Sequence, residues 1–192
     1  MLVVKSNINE ELEKAMAKLS TFEVGGSGSD LAMRAGMVTI LPVIKQRIHE
    51  KGLDGNNTKI GQYSTEPIYV NPKNSPRKFS PQGKHGDTKF RSGEPHQTRY
   101  FEDGYKGFKT FIGRNLLGSV NLSLTGGLSN QTVVIPTDKG YGIGFSNDEN
   151  LQRAKALEKK YQKAIWTKMT AEESTIFADA VIERLTEIYG RD

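Results

Sequence analysis

At 192 residues the chain suits one domain, and a 35% hydrophobic share with 27 Lys and Arg against 22 Asp and Glu, net +5, implies that part of it lies outside any core. No apolar run approaches the roughly 20 residues that would span a bilayer, and "MLVVKSNINEELEK" lacks the basic flank and apolar stretch of a signal peptide, so a cytoplasm-like compartment and no membrane partner are expected. Zero cysteines exclude disulfides and thiolate metal sites, and leave three Asn-x-Ser/Thr sequons without a secretory context.

In chain order, "NINEELEKAMAKL" puts Ile8, Leu12, Ala15, Met16 and Leu19 on one helical face, with Asn9 as its cap. "EVGGSGSD" reads as a flexible break. Asp30 then caps a second helix whose stripe is Leu31, Ala35, Val38, Leu41, Ile44 and Ile48, ended by Lys51-Gly52. Pro42 sits inside that stripe and is expected to kink or split it. "GLDGNNTKIGQYST" is turn chemistry throughout, followed by a short apolar run, "PIYV".

Charge is concentrated in the middle of the chain. Residues 72–114 carry ten Lys or Arg and four Asp or Glu, so the remainder is close to neutral. "NPKNSPRKFSPQGKHGDTKFRSGEPHQ" has neither helical nor strand periodicity, and its prolines remove backbone donors. It reads as an extended basic Pro/Gly-rich arm over 72–99, and an arm of this length is functional or disordered more often than architectural. Lys73, Arg77, Lys78, Lys84, Lys89 and Arg91 are its candidate contacts to DNA or to an acidic partner, with Phe79 and Phe90 adding apolar contact. Its deletion over 74–96 is expected to leave the fold intact.

Tyr100, Phe101, Tyr105, Phe108, Phe111 and Ile112 recur at spacings of three and four, predicting a further helix despite Gly104 and Gly107. Val120, Leu122 and Leu124 alternate, as do Tyr141, Ile143 and Phe145, and "TVVIP" joins the latter through "TDKG"; these predict strands of an antiparallel sheet. Ser146 and Glu149 have capping-box spacing ahead of a helix that aligns Leu151, Ala154, Leu157, Tyr161 and Ala164. Thr170 and Glu173 repeat the device before a last helix carrying Phe177, Val181, Leu185 and Ile188. The fold class that follows is α+β: a small antiparallel sheet packed with amphipathic helices, plus the arm, in a single domain over 1–192.

Chemistry-bearing motifs are few. The glycines of "KGYGIGF" alternate with apolar residues and open no helix, so they mark a plain strand and no nucleotide loop. His49, near a helix end, fits a partner of the helix dipole, and His85 and His96 have neither Cys nor carboxylates at metal-ligand spacing. No catalytic grouping, cofactor site or metal site is expected.

The element order and three stretches, "RIHEKGLDGNNTKIGQYST", "VNLSLTGGLSNQTVVI" and "GYGIGFSNDENLQRAKALEKKY", with "MTAEESTIFADAVIERLTEIY" as a closing helix, resemble the virion morphogenesis, or tail-completion, family of tailed bacteriophages, grouped with head-to-tail connector and neck proteins. The likeness covers about two thirds of the chain. Where that family has an Arg-x-Phe-Leu-Gly-like step, this chain has "AIWTKM", and its arm is longer. The resemblance implies a structural, non-enzymatic virion protein of the neck or tail, assembled in the host cytoplasm. It implies partners too: itself in a ring of six or twelve copies, adjacent neck, portal or tail proteins, and DNA passing through the lumen. Tyr105, Phe108, Phe111 and Trp166 are then the candidate subunit interface. A DNA-binding module using the arm is the alternative.

Overall fold

The computed structural model describes residues 27–114, 119–137 and 140–190, so the helix expected around Ile8 to Leu19 lies outside the described residues. The elements are α1 (Ser27–Gln46), a π-helical turn (Arg47–Lys51), β1 (Ile68–Val70), a 3-10 turn (Pro72–Asn74), β2 (Arg99–Phe101), α2 (Gly104–Phe111), α3 (Gly127–Gln131), β3 (Thr132–Thr137), β4 (Gly140–Phe145), α4 (Asp148–Tyr161) and α5 (Ala171–Tyr189). The protein is α+β, with five helices and two antiparallel strand pairs among the described residues. β1 pairs with β2, Ile68 opposite Phe101; β3 pairs with β4, Thr132 opposite Phe145.

Helix α1 departs from its expected form in three ways. It begins at Ser27, so Asp30 lies in the first turn instead of capping it, and "SGSD" is helical. It runs without interruption through Pro42. Its buried line is Ala32, Gly36, Ile40, Ile44 and Ile48, while Leu31 and Val38 are 48% and 54% exposed. The small residues decide which face goes inward: α1 packs chiefly on α5, and a Cβ at Gly36 would stand 2.6 Å from Val181 and 2.8 Å from Phe177. A face bearing Leu31 and Val38 cannot approach that closely, so packing overrides the larger hydrophobes.

After Gln46 the helix widens into a π turn, and Arg47, Ile48 and His49 are all buried, three consecutive positions that a regular helix would spread over most of its circumference. Gly52 ends the turn in the left-handed region (φ 67°), and a Cβ there would lie 2.5 Å from the Val120 carbonyl oxygen. The Arg47 guanidinium reaches the far side of the molecule: Nε meets Glu173 Oε1 at 2.7 Å, Nη1 donates to the Leu53 carbonyl at 3.0 Å, and Nη2 to the carbonyls of Ile165 (3.1 Å) and Lys168 (3.4 Å). Glu173 is the far residue of the capping box of α5, accepting from Thr170 N through Oε2 while its own N–H donates to Thr170 Oγ1.

The loop after the π turn folds around Asp54, which is fully buried and accepts from Asn56 N, Thr58 N and Thr58 Oγ1, each at 2.9 Å. Burial pushes its carboxyl pKa up, but the Thr58 and Asn56 donors and the Lys163 ammonium outweigh this and leave it below the ordinary value. The "AIWTKM" segment faces this loop and is pinned from within: Glu158 Oε1 accepts from the N–H groups of Ile165, Trp166 and Thr167.

Two apolar clusters result. Ile40, Ile44, Ile48, Ile60, Val120 and Ile165 form one; Phe101, Phe108 and Ile112 form the other, with Ile68, Phe79 and Phe111 against them. Tyr100 and Phe101, expected at the head of the aromatic helix, lie in β2. Residues 120–124 make no strand: Val120 and Leu124 go to different clusters, and between them Leu122 takes a left-handed backbone (φ 48°) that breaks the pleat. Asn147, one residue beyond the expected Ser146, caps α4 by accepting from Asn150 N.

Arg47→Met is expected to lower the unfolding free energy by about 3–5 kcal/mol, because it strands a buried carboxylate and three carbonyls. Glu173→Leu should cost a similar amount, since it leaves the buried guanidinium without its carboxylate and Thr170 N without its acceptor. Urea titration of both variants and of the double variant reads the coupling, and strictly additive losses would show that the pair is not the organising contact.

His49 supplies a pH dependence. It is 8% exposed, and burial, together with Lys45 and against the opposing pull of the Asn121 backbone, holds its pKa down to about 4 from 6.5. The ring is therefore neutral near pH 7 and is no partner for the helix dipole. Above pH 6.5 both folded and unfolded states are neutral; below it the unfolded chain takes up a proton that the folded one refuses until about pH 4. Stability is accordingly lost as pH falls from 6.5 toward 4, by about 3 kcal/mol. His49→Phe should flatten that part of a urea-midpoint profile against pH.

Candidate functional site

The arm is anchored before it projects. Asn71 caps the 3-10 turn that carries Lys73, and Phe79 turns inward to make edge contacts with Phe101, Phe108 and Phe111 at ring-centroid distances of 6.1, 6.3 and 5.6 Å. Phe79 is thus part of the aromatic cluster, and it is not a residue held out for a partner. Arg77 closes the same contact from outside: it lies 5.7 Å from the Phe111 ring and donates to the Phe111 carbonyl at 3.1 Å, while Arg99 lies 4.4 Å over that ring.

Beyond Phe79 the chain returns to itself. Gln82 N donates to the Thr98 carbonyl at 3.0 Å and the Gln82 carbonyl accepts from Tyr100 N at 3.1 Å, so residues 82 and 98–100 form a closed base. What projects is the shorter stretch 83–97. Contrary to the expectation of an arm without structure of its own, it makes a small hairpin: His96 N donates to the Thr88 carbonyl at 3.1 Å, Phe90 N to that of Glu94 at 2.7 Å, and Gly93 N to that of Phe90 at 2.9 Å. Gly93 (φ 87°) and Gly86 (φ 82°) supply the left-handed backbone its two turns require, and a Cβ at either would meet nothing within 4 Å. His96 lies against Gly83, and its ring stands 3.9 Å from that of Phe90.

All six basic candidates, Lys73, Arg77, Lys78, Lys84, Lys89 and Arg91, are exposed, and among the described residues none of them makes an ion pair. Lys84 leans over the Tyr100 ring at 5.8 Å, and Arg91 occupies the tip of the turn between Phe90 and Gly93. Arg77 stands apart from the rest because its guanidinium serves the aromatic cluster.

The aromatic candidates prove to be core residues first. Phe108 is 1% exposed and packs inside the second cluster, so it cannot form part of a contact between subunits. Phe111 is half-buried beneath Arg77 and Arg99, and Tyr105 is half-buried beside Tyr63 at 5.4 Å. Trp166 packs on Phe145 and on the first cluster, with its indole Nε1 buried and, among the described residues, unpartnered.

Sequence reasoning missed one group. Lys109, on α2, is 1% exposed; its ammonium donates to the Ser123 carbonyl and to Asn121 Oδ1 (3.4 Å) and lies 5.3 Å from the Tyr63 ring. Burial, with Arg114 nearby, holds its pKa down to about 8. Tyr63 donates to Asn121 Oδ1 at 2.9 Å, and burial pushes its hydroxyl up to about 12. A Lys at i+1 of a buried Phe in an amphipathic pattern reads as a solvated position, and only the fold brings it under Asn121. His49, His85 and His96 do not converge, and among the described residues no three of His, Asp and Glu group as a metal site. No described helix is long and apolar enough to cross a membrane.

Comparison of the chain with family models, with curated proteins and with solved structures finds no match in any of the three.

Replacing residues 84–96 by two glycines should leave the unfolding free energy within about 0.5 kcal/mol of wild type, because the base and Phe79 remain. Phe79→Ala should cost roughly 2–4 kcal/mol. Urea titration of both variants locates the boundary between core and projection; a collapse of the first would place the hairpin in the core.

Proposed function

We propose that the protein is a structural subunit of a tailed-phage virion. It forms a ring of six or twelve copies in the neck or tail, joins the head side to the tail side, and grips the adjacent neck, portal or tail protein with the basic hairpin 83–97. The sequence resemblance supplies the class, and the observation that carries the role is the hairpin itself. Its basic side chains project from a base fixed by Phe79, Gln82 and Thr98, so little ordering remains to oppose docking. Each exposed Lys or Arg pairing with a partner carboxylate contributes at most roughly 1 kcal/mol, so the grip depends on several together and on Phe90, 51% exposed beside them.

Ring contacts then fall on surfaces that exclude Phe108, and a head-to-tail ring requires two different ones on each subunit. Assembly takes place in the host cytoplasm, and the protein ends in the virion.

Symmetry of assembled particles by electron microscopy, together with native mass measurement, should give closed rings containing this chain. The chain lacking 84–96 should fold yet fail to enter particles. Isolated copies decorating a surface, or normal incorporation of the shortened chain, would count against the proposal.

A second reading has an observation of its own: Arg91 sits at the tip of a narrow hairpin close to Lys89, with Lys84 over Tyr100 at its base, so cations run along a projection that can follow a phosphate backbone. Under that reading the isolated protein binds duplex DNA with a steep salt dependence, and changing Lys84, Lys89 and Arg91 together to Gln reduces the slope by about 3. Under the first reading that binding is weak at physiological salt and the triple change acts on incorporation.

A further inference from the structure

Behind the aromatic helix an open groove runs between α2, the 120–124 segment and α4. One part, about 490 Å³, is lined by Tyr63, Tyr105, Lys109, Lys160 and Tyr161 among others; the next, about 450 Å³, continues past Leu128 to Arg153. Leu122, Leu124 and Leu157 belong to both, so the two parts share one apolar floor. Among the described residues no Asp or Glu lines either part.

Three features bear on its occupant. First, Lys109 is an ammonium buried without a carboxylate: its described partners are one carbonyl and one amide oxygen, which leaves one of its three N–H groups uncommitted. A buried charge compensated only by neutral dipoles is costly, and an arriving anion lowers that cost. Second, Lys160 is exposed on the rim beside Tyr161, whereas Arg153 at the other end is already paired with Glu149. Third, the backbone of 121–124 is already engaged, Asn121 N donating to the Tyr63 hydroxyl, Ser123 N to Asn121 Oδ1 and the Ser123 carbonyl accepting from Lys109, so this segment offers the groove its Leu122 and Leu124 side chains.

We propose that this groove, where a buried ammonium with no carboxylate partner among the described residues and a rim lysine meet a leucine floor, docks an extended acidic and apolar peptide segment of a partner protein. The carboxylates meet Lys109 and Lys160; the alternate apolar side chains lie on Leu122, Leu124 and Leu157. A free small anion would use the lysines and leave the floor open to water, which is why a peptide fits and an inorganic ion does not. The groove lies outside the hairpin, so this inference does not depend on the proposed function.

The test uses the intact chain and a dye-labelled hexapeptide, Leu-Glu-Leu-Asp-Leu-Glu, followed by fluorescence anisotropy. Binding should be at least tenfold tighter than that of its neutral counterpart, Leu-Gln-Leu-Asn-Leu-Gln, and should weaken at least tenfold in Lys160→Glu, an exposed change that leaves the fold alone. In wild type, saturation with peptide should shift the NMR signal of the Lys109 ε-methylene and raise its titration midpoint, a readout available even where Lys109→Met fails to fold. The variant lacking 84–96 should bind the peptide as wild type does. Equal binding of the neutral peptide, indifference to Lys160→Glu, an unmoved Lys109 signal, or complete displacement by millimolar inorganic phosphate would each overturn the proposal.

Discussion

The Arg47–Glu173 pair determines how the rest of the chain is arranged. Its two residues are separated by 126 positions, yet the guanidinium meets the carboxylate at 2.7 Å while also holding the carbonyls of Leu53, Ile165 and Lys168. Four stretches therefore converge on one planar group: the end of α1, the Asp54 loop, the segment around Trp166 and the start of α5. A buried ion pair is seldom worth more than the apolar residues that could replace it, but it tolerates few alternative packings. The fork geometry of arginine is what allows a single side chain to satisfy so many acceptors at once. The π turn is its counterpart in the backbone, for Arg47, Ile48 and His49 are buried together within it.

A second tie joins the two apolar clusters. Asn121 accepts from Tyr63, from Lys109 and from Ser123 N through one oxygen, and its Nδ2 donates to the Arg114 carbonyl. Val120 lies on one side of this seam and Leu124 on the other. The left-handed Leu122 between them is the local consequence: an extended chain crossing from one cluster to the next must turn both side chains the same way, and a non-glycine residue in that conformation costs roughly 1–2 kcal/mol. The polar tie and the leucine packing on either side hold it there.

Legibility in the sequence followed how local each signal was. The β3–β4 hairpin, the two C-terminal helices and the Thr170–Glu173 capping box depend on neighbours within a few residues, and the pattern specified them closely. The face of α1 was misread because Leu31 and Val38 are larger than Ala32 and Gly36, and the requirement for close approach comes from α5, which lies well over a hundred residues away. The strand expected over 120–124 failed for the same reason: alternation was present and a partner strand was not. The basic arm was legible as a loop but not as a hairpin, since its turns depend on Gly86 and Gly93 in a stretch whose side chains carry no period. Phe79, one apolar residue among prolines and cations, gave no hint that it belonged to the aromatic cluster. Lys109 was hidden completely, because nothing local to a helical lysine announces the carbonyl waiting 14 residues downstream.

Helix α2 connects these observations. Eight residues long, it presents Phe108 and Phe111 to the base of the hairpin through Phe79, and Tyr105 and Lys109 to the groove. A short helix with two such attachments cannot shift on one side without disturbing the other: moving Lys109 releases the Ser123 carbonyl and Asn121, and moving Phe108 unseats Phe79. Substitutions on α2 consequently report on hairpin and groove together. Lys160 and Arg91 stand off this helix, on α4 and at the hairpin tip, and each touches only one of the two surfaces. Changes at those two positions separate contacts made by the hairpin from contacts made in the groove, which no change within residues 104–111 can do.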